Sequence, residues 1–175
     1  ARYQAELANG FGNLASRTIA MIEKYFGGVV PEPGEYTERD LAVQKIVADA
    51  ASAADAAVEN FRIDEAITAI WTIVDELNGY ITDNEPWALA RDEEQRGRLG
   101  TVLYTAAEGL RALAVLLSPV MPKATAKLWD ALGVEGALGA LQAQPIREAG
   151  AWGVLPVGTQ VQTLAPLFPR VESTA

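Results

Sequence analysis

Apolar side chains recur every three or four positions along most of this chain, the period of helices that bury one face. In residues 3–26, Leu7, Phe11, Leu14, Thr18, Met21, Ile22 and Tyr25 form one such stripe, and Gly27-Gly28 closes it. A loop follows at Pro31, Pro33 and Gly34. The second predicted helix runs from Thr37 to about Asn60, with Val43, Val47, Ala50, Ala54, Ala57 and Val58 inward. Thr37 and Asp40 read as a loose capping box, and the small inward residues imply a close helical neighbour. In a third helix from Arg62, Ile63, Ile67, Ile70, Val74, Leu77 and Ile81 repeat with the spacing of a bundle seam. Gly79 weakens its end, and Asp83-Asn84-Glu85-Pro86 breaks it.

Pro86 suits the first position of a new, short helix, which puts Trp87 on a loop-to-helix corner. A longer helix is predicted from Arg98 to Ser118, burying Val102, Leu103, Ala106, Leu110, Leu113 and Leu117. Pro119 ends it, and Pro122 opens another through Leu128, Trp129 and Leu132 to Gly133. Any helix in the Ala- and Gly-rich stretch 134–150 is short. Beyond it, Pro156, Gly158, Pro166 and Pro169 exclude a long helix. Yet Trp152, Val154, Leu155, Val157, Leu164, Leu167 and Phe168 are too apolar for a disordered tail. The expected fold is all-α: an up-and-down helical bundle over 1–150, then an irregular, extended apolar arm over 151–175 that docks on another surface.

Composition changes this picture mainly by exclusion. The chain has 175 residues, enough to bury a real core, and no histidine or cysteine. A Ser-His-Asp triad, a thiolate metal site and a disulfide are therefore impossible. There is no GxxxxGK[ST] or GxGxxG phosphate loop, no secretory pattern in ARYQAELANG, and no apolar run approaching a membrane span. The sequence reads as a binding domain in a cytoplasmic setting, with no membrane partner. Its net charge of −9 argues against a nonspecific nucleic-acid binder. That charge is uneven: residues 26–94 hold sixteen acids and four bases, whereas 95–175 hold five acids and seven bases. If RNA binds, the acidic middle is expected to face away from phosphates.

Two places carry candidate chemistry. Asn9, Asn13 and Arg17 are four residues apart on the polar side of the first helix. Asn disfavours helix interiors, and Asn and Arg can each present two groups to a base edge. A solvated polar face explains the same pattern. At the corner, Trp87 is either a packing staple for the loop or a ring on which an unstacked base sits. Trp71 and Trp129 fall in step with core positions, and Trp152 belongs to the arm. The adjacent pairs Asp64-Glu65, Asp75-Glu76 and Glu93-Glu94 diverge on a helix and read as solvated surface.

Several stretches, in order, resemble the methionyl-tRNA synthetase family: GNLASR (Gly12 to Arg17), NGYITDNEPWALAR (Asn78 to Arg91), LSPVMPKATAKLWDALG (Leu117 to Gly133) and LFPRVE (Leu167 to Glu172). The first two are the specific ones; the third is shared with other class I synthetases. In the second, Arg91 stands where the family more often has lysine. The resemblance implies an anticodon-binding domain reading CAU of methionine tRNA. Asn13 and Arg17 would hydrogen-bond the first anticodon base, Trp87 would stack on the anticodon, Pro86 would shape the corner, and Asn9 would assist. The implied partners are tRNA, through its anticodon loop, and the catalytic domain of the same enzyme, against which the arm would pack. That domain has no counterpart here, so no catalytic residue, metal or cofactor is expected in this chain; ATP and magnesium belong to the parent enzyme. The chain then reads as a fragment of a methionine–tRNA ligase, inactive alone, and residue 1 as an internal position. Alternatives are the anticodon domain of another class I synthetase and a protein-binding helical scaffold.

Overall fold

The structure is a computed structural model and describes residues 7–169, with side-chain burial described from Asn9. Seven α-helices are placed in it: α1 (Asn13–Phe26), α2 (Glu38–Glu59), α3 (Ile63–Asn84), α4 (Pro86–Leu89), α5 (Arg96–Leu117), α6 (Pro122–Leu132) and α7 (Glu135–Leu138). Short 3-10 turns occupy Glu93–Gln95, Leu141–Ala143 and Ile146–Glu148. The long helices follow the apolar stripes. α2 begins at the expected capping box, where Thr37 Oγ1 accepts the Asp40 N–H at 3.3 Å and Asp40 Oδ2 accepts the Thr37 N–H at 2.9 Å. α1 ends at Gly27, whose φ of 61° is the left-handed cap that glycine adopts without a Cβ penalty. Pro86 is the first residue of α4.

α5 is the centre of the bundle. α1, α2, α3, α4 and α6 all pack on it, and every residue from Leu99 to Leu117 is buried. A single stripe understates this helix, because it is enclosed on all sides and is apolar enough to pass for a membrane span by composition. α2 and α3 form an antiparallel hairpin whose tip departs from the seam pattern. Val58 and Ile63, both expected inward, are half exposed, and Phe61 between them is 94% exposed. Both stand beside the reversal, where Phe61 takes φ 58°, while Ala57 and Ala66 in the same turns stay buried.

Ahead of α1 the chain widens into a π-helical turn, Leu7–Gly12, where one regular helix was expected from residue 3. Residues 3–6 of that expected helix lie outside the described residues. Asn78 on α3 donates to the Gly10 carbonyl at 3.2 Å, and Gly10 faces Val74 and Trp71 closely, so tertiary contacts hold this turn against α3. Trp71 is only half-buried, packed at the edge of the core beside Gly10, whereas Trp129 is fully buried.

The described part of the arm, 151–169, lies on its own bundle. Leu155, Val161 and Leu167 are buried, and Phe168 stands 6.3 Å from Phe11 between ring centroids. The arm pairs with the α1–α2 loop through Val30 N to Thr159 O (2.9 Å), Gly158 N to Val30 O (2.9 Å) and Val161 N to Gly28 O (2.7 Å), and Gln162 N reaches Ala131 O of α6 at 2.8 Å. At Gly133 (φ 70°) the Gln160 carbonyl passes too close for any Cβ. Residues 170–175, which include the end of LFPRVE, lie outside the described residues.

Candidate nucleic-acid interface

The two candidate segments, far apart in sequence, meet in space. Arg17, in the second turn of α1, places its guanidinium carbon 5.9 Å from the centroid of the Trp87 ring. Trp87 is 37% exposed and Arg17 is exposed, so the pair lies at the surface. Asn13 is exposed one turn before Arg17. Asn9 is also exposed, but it sits in the π-helical turn, whose i→i+5 winding takes it off the line of an α-helical i, i+4 row. Pro86 is buried at the corner, while Trp87, next to it, is exposed. Asp83, Glu85, Asp92, Glu93 and Glu94, near Trp87 in sequence, are all exposed. The acidic stretch therefore flanks this corner in the chain.

This surface can hydrogen-bond a base edge beside a ring that can stack on a base. Residues 42–163 match the family described as the anticodon-binding domain of tRNA ligase. The chain belongs to that family. Among its relatives, the methionine–tRNA ligase of Streptomyces coelicolor is 48% identical over 98% of this chain and 32% of its own length. That of Deinococcus radiodurans is 42% identical over 99% of this chain and 24% of its own length. The apo form of Mycobacterium tuberculosis methionyl-tRNA synthetase matches with a TM-score of 0.83 at 30% identity, covering 98% of this chain and 34% of that one. The chain thus spans about a third or less of the relatives it matches.

In this anticodon-binding domain the corner rests on a polar cluster that the sequence does not announce. Asp40, fully buried, receives Arg98 on both oxygens (Nη1 to Oδ2 2.6 Å, Nη2 to Oδ1 2.9 Å) and Tyr80 Oη on Oδ1 at 2.5 Å. Arg98 Nη2 also donates to Asn84 Oδ1 at 2.8 Å, and Asn84 Nδ2 donates back to the Tyr80 carbonyl at 2.8 Å. Burial disfavours the charged form of Asp40, but the hydrogen bonds from Arg98, Tyr80 and the Thr37 backbone outweigh it and hold its carboxyl below the usual range. Burial and the Asp40 carboxylate together push the Tyr80 phenol up. Arg39 lies 5.5 Å over the Tyr80 ring and pairs with Glu76 and Asp83. Asp40 announces itself only as a cap, and Arg98 only as one of a run of surface charges.

A second buried pair fastens the arm. Arg111 Nε donates to Glu108 Oε1 at 2.5 Å, while Glu108 Oε2 accepts the Leu155 N–H at 2.6 Å. Arg111 Nη2 donates to the carbonyls of Ala149 (3.1 Å) and Ala151 (3.0 Å), and Tyr104 Oη donates to the Leu155 carbonyl at 2.8 Å. Burial raises the Glu108 carboxyl above its ordinary value, against the pull of Arg111 and the Leu155 amide.

Proposed function

We propose that this domain reads the CAU anticodon of methionine tRNA as part of a methionine–tRNA ligase. The carrying observation is the approach of Arg17 to the Trp87 ring, which gathers an edge-reading side chain and a stacking platform on one surface. Unpaired loop bases are recognised by this combination, each stacked base contributing about 1–3 kcal/mol and each bidentate edge contact a similar amount. Asn13 and Arg17 take the edge of the first base and Trp87 takes a base face; Pro86 fixes the corner and Asn9 assists from the π-helical turn.

The exposed carboxylates around the corner favour contacts to bases over contacts to phosphates. Binding should therefore weaken only mildly with salt, because few counterions are released. The parent enzyme would supply ATP, magnesium and the catalytic domain, whose contact with this domain would use the outer side of the arm, where Val157 and neighbouring Val29 remain exposed. Titration of the chain with two anticodon stem-loops, CAU and a variant changed at the first base, tests the reading. Tighter binding of CAU that is lost in Trp87→Ala is expected. Equal affinity for both loops, or binding indifferent to Trp87→Ala and Arg17→Ala, overturns it.

A further inference from the structure

The direction in which Trp87 projects is set three residues earlier. Asn84 is the last residue of α3; Glu85 then turns in the left-handed region (φ 45°, ψ 62°), and Pro86 starts α4 with its φ fixed by the ring. A non-glycine residue in that region is disfavoured and persists only where its surroundings hold it. Glu85 itself is held by backbone bonds: its N–H donates to Ile81 O at 3.1 Å, and its carbonyl accepts Ala88 N at 2.8 Å and Leu89 N at 3.2 Å. Those bonds are local to the corner; the tie to the rest of the bundle is at Asn84, whose side-chain oxygen Arg98 clamps from α5, the central helix. Arg98 is in turn forked on Asp40, which caps α2 and takes the Tyr80 hydroxyl from α3. The ends of three helices are thus tied at one guanidinium.

We propose that Arg98 is a positioning residue for anticodon reading: through Asn84 it sets the left-handed corner so that Trp87 stands against Arg17. This rests on the reading of Trp87 and Arg17 given above. An arginine fits the task because its planar fork serves both oxygens of Asp40 and still reaches Asn84, three directed contacts that a lysine ammonium does not place together.

The test labels the chain with 5-fluorotryptophan and follows the Trp87 fluorine resonance, assigned with Trp87→Phe, alongside titration with the CAU stem-loop. Asn84→Ala cuts the link to the corner and leaves the Arg98–Asp40 fork in place; Arg98→Met removes both. Asn84→Ala is expected to move the Trp87 resonance, leave those of Trp71, Trp129 and Trp152 in place, and weaken CAU binding roughly ten-fold at unchanged helix content. Arg98→Met should do the same, and the double variant should be no worse than the weaker single, as residues acting through one path require. A Trp87 resonance unmoved in Asn84→Ala overturns the proposal. So does a moved resonance with unchanged affinity while Trp87→Ala does weaken binding, since the corner would then be held for some other purpose. If Trp87→Ala itself leaves CAU binding intact, the anticodon reading falls first and the proposal with it.

Discussion

A base that stacks on Trp87 and the guanidinium of Arg17 compete for one surface, and that competition has a measurable sign. In the free protein the guanidinium carbon is 5.9 Å from the ring centroid and both residues are exposed, so the contact is worth about 0.5–1 kcal/mol. If the base takes the ring face that Arg17 covers, binding first breaks that contact and then gains a stack and an edge contact of about 1–3 kcal/mol each. Each single variant, Arg17→Ala or Trp87→Ala, loses one gain but is spared the breaking cost, for a net loss of roughly 0–2.5 kcal/mol. The double variant loses both gains and is spared the cost only once. It should therefore bind CAU about two- to five-fold more weakly than the two single losses predict when added. The assay is a four-protein titration with the CAU stem-loop at fixed low salt. A double variant that equals or improves on the additive value refutes the exchange and shows that the pair persists, or assists, in the complex.

Stability predictions follow from the packing. Gly109→Ala on α5 would put a Cβ 2.5 and 2.9 Å from the methyls of buried Leu77, a clash of about 1–3 kcal/mol against a propensity gain of about 1. Gly79→Ala on α3 meets nothing within 4 Å and should stabilise by about 0.8–1 kcal/mol; opposite shifts in urea midpoint are expected, and matching ones would contradict the packing. Gly133→Ala, strained at φ 70° and blocked by the Gln160 carbonyl, should free the arm, seen as faster hydrogen exchange at Val161 and Gln162 while α5 stays protected. The buried carboxylates titrate with opposite signs. Asp40, held below its ordinary value, contributes stability present above about pH 4 and lost as pH falls through its folded value. Glu108, held above its ordinary value, contributes stability present below that value and lost as pH rises through the folded one. Urea unfolding at stepped pH should show the acid limb flattened in Asp40→Asn and the rising-pH loss flattened in Glu108→Gln; unchanged limbs would deny these roles.

Much of the fold is legible because its signals are local. The Thr37–Asp40 box, the Gly27 stop, Pro86 and Gly133 each act within a turn of where they stand, and the stripes of α2, α3 and α6 follow a period. What escapes the sequence depends on distant partners. The π-helical turn forms where Asn78 and the faces of Val74 and Trp71 meet Gly10. Glu108 and Arg111 interrupt an apolar helix and are buried only because the carbonyls and amide of 149–155 come back to them. For the same reason the apolar arm shows that it must dock but not where, and the described part of it covers the bundle that precedes it. The candidate site divides likewise. Resemblance pointed to Asn13, Arg17, Pro86 and Trp87, whereas Arg98 and Asp40, which tie the corner together, come from helices that no periodicity connects.

The return of the arm also orders events in time. When α5 leaves the ribosome, Glu108 and Arg111 have each other, but the backbone groups of 149–155 that complete their bonding have yet to emerge. Until they arrive, the middle of the core carries a polar pair short of partners, costly to enclose and easily wetted. Phe11 waits longer still for Phe168, from the opposite end of the described chain. Helices can form early as the chain grows, but sealing around α5 is a late step that depends on the last segment described. A nascent chain halted before residue 149 would hold its helices around a core still open to water.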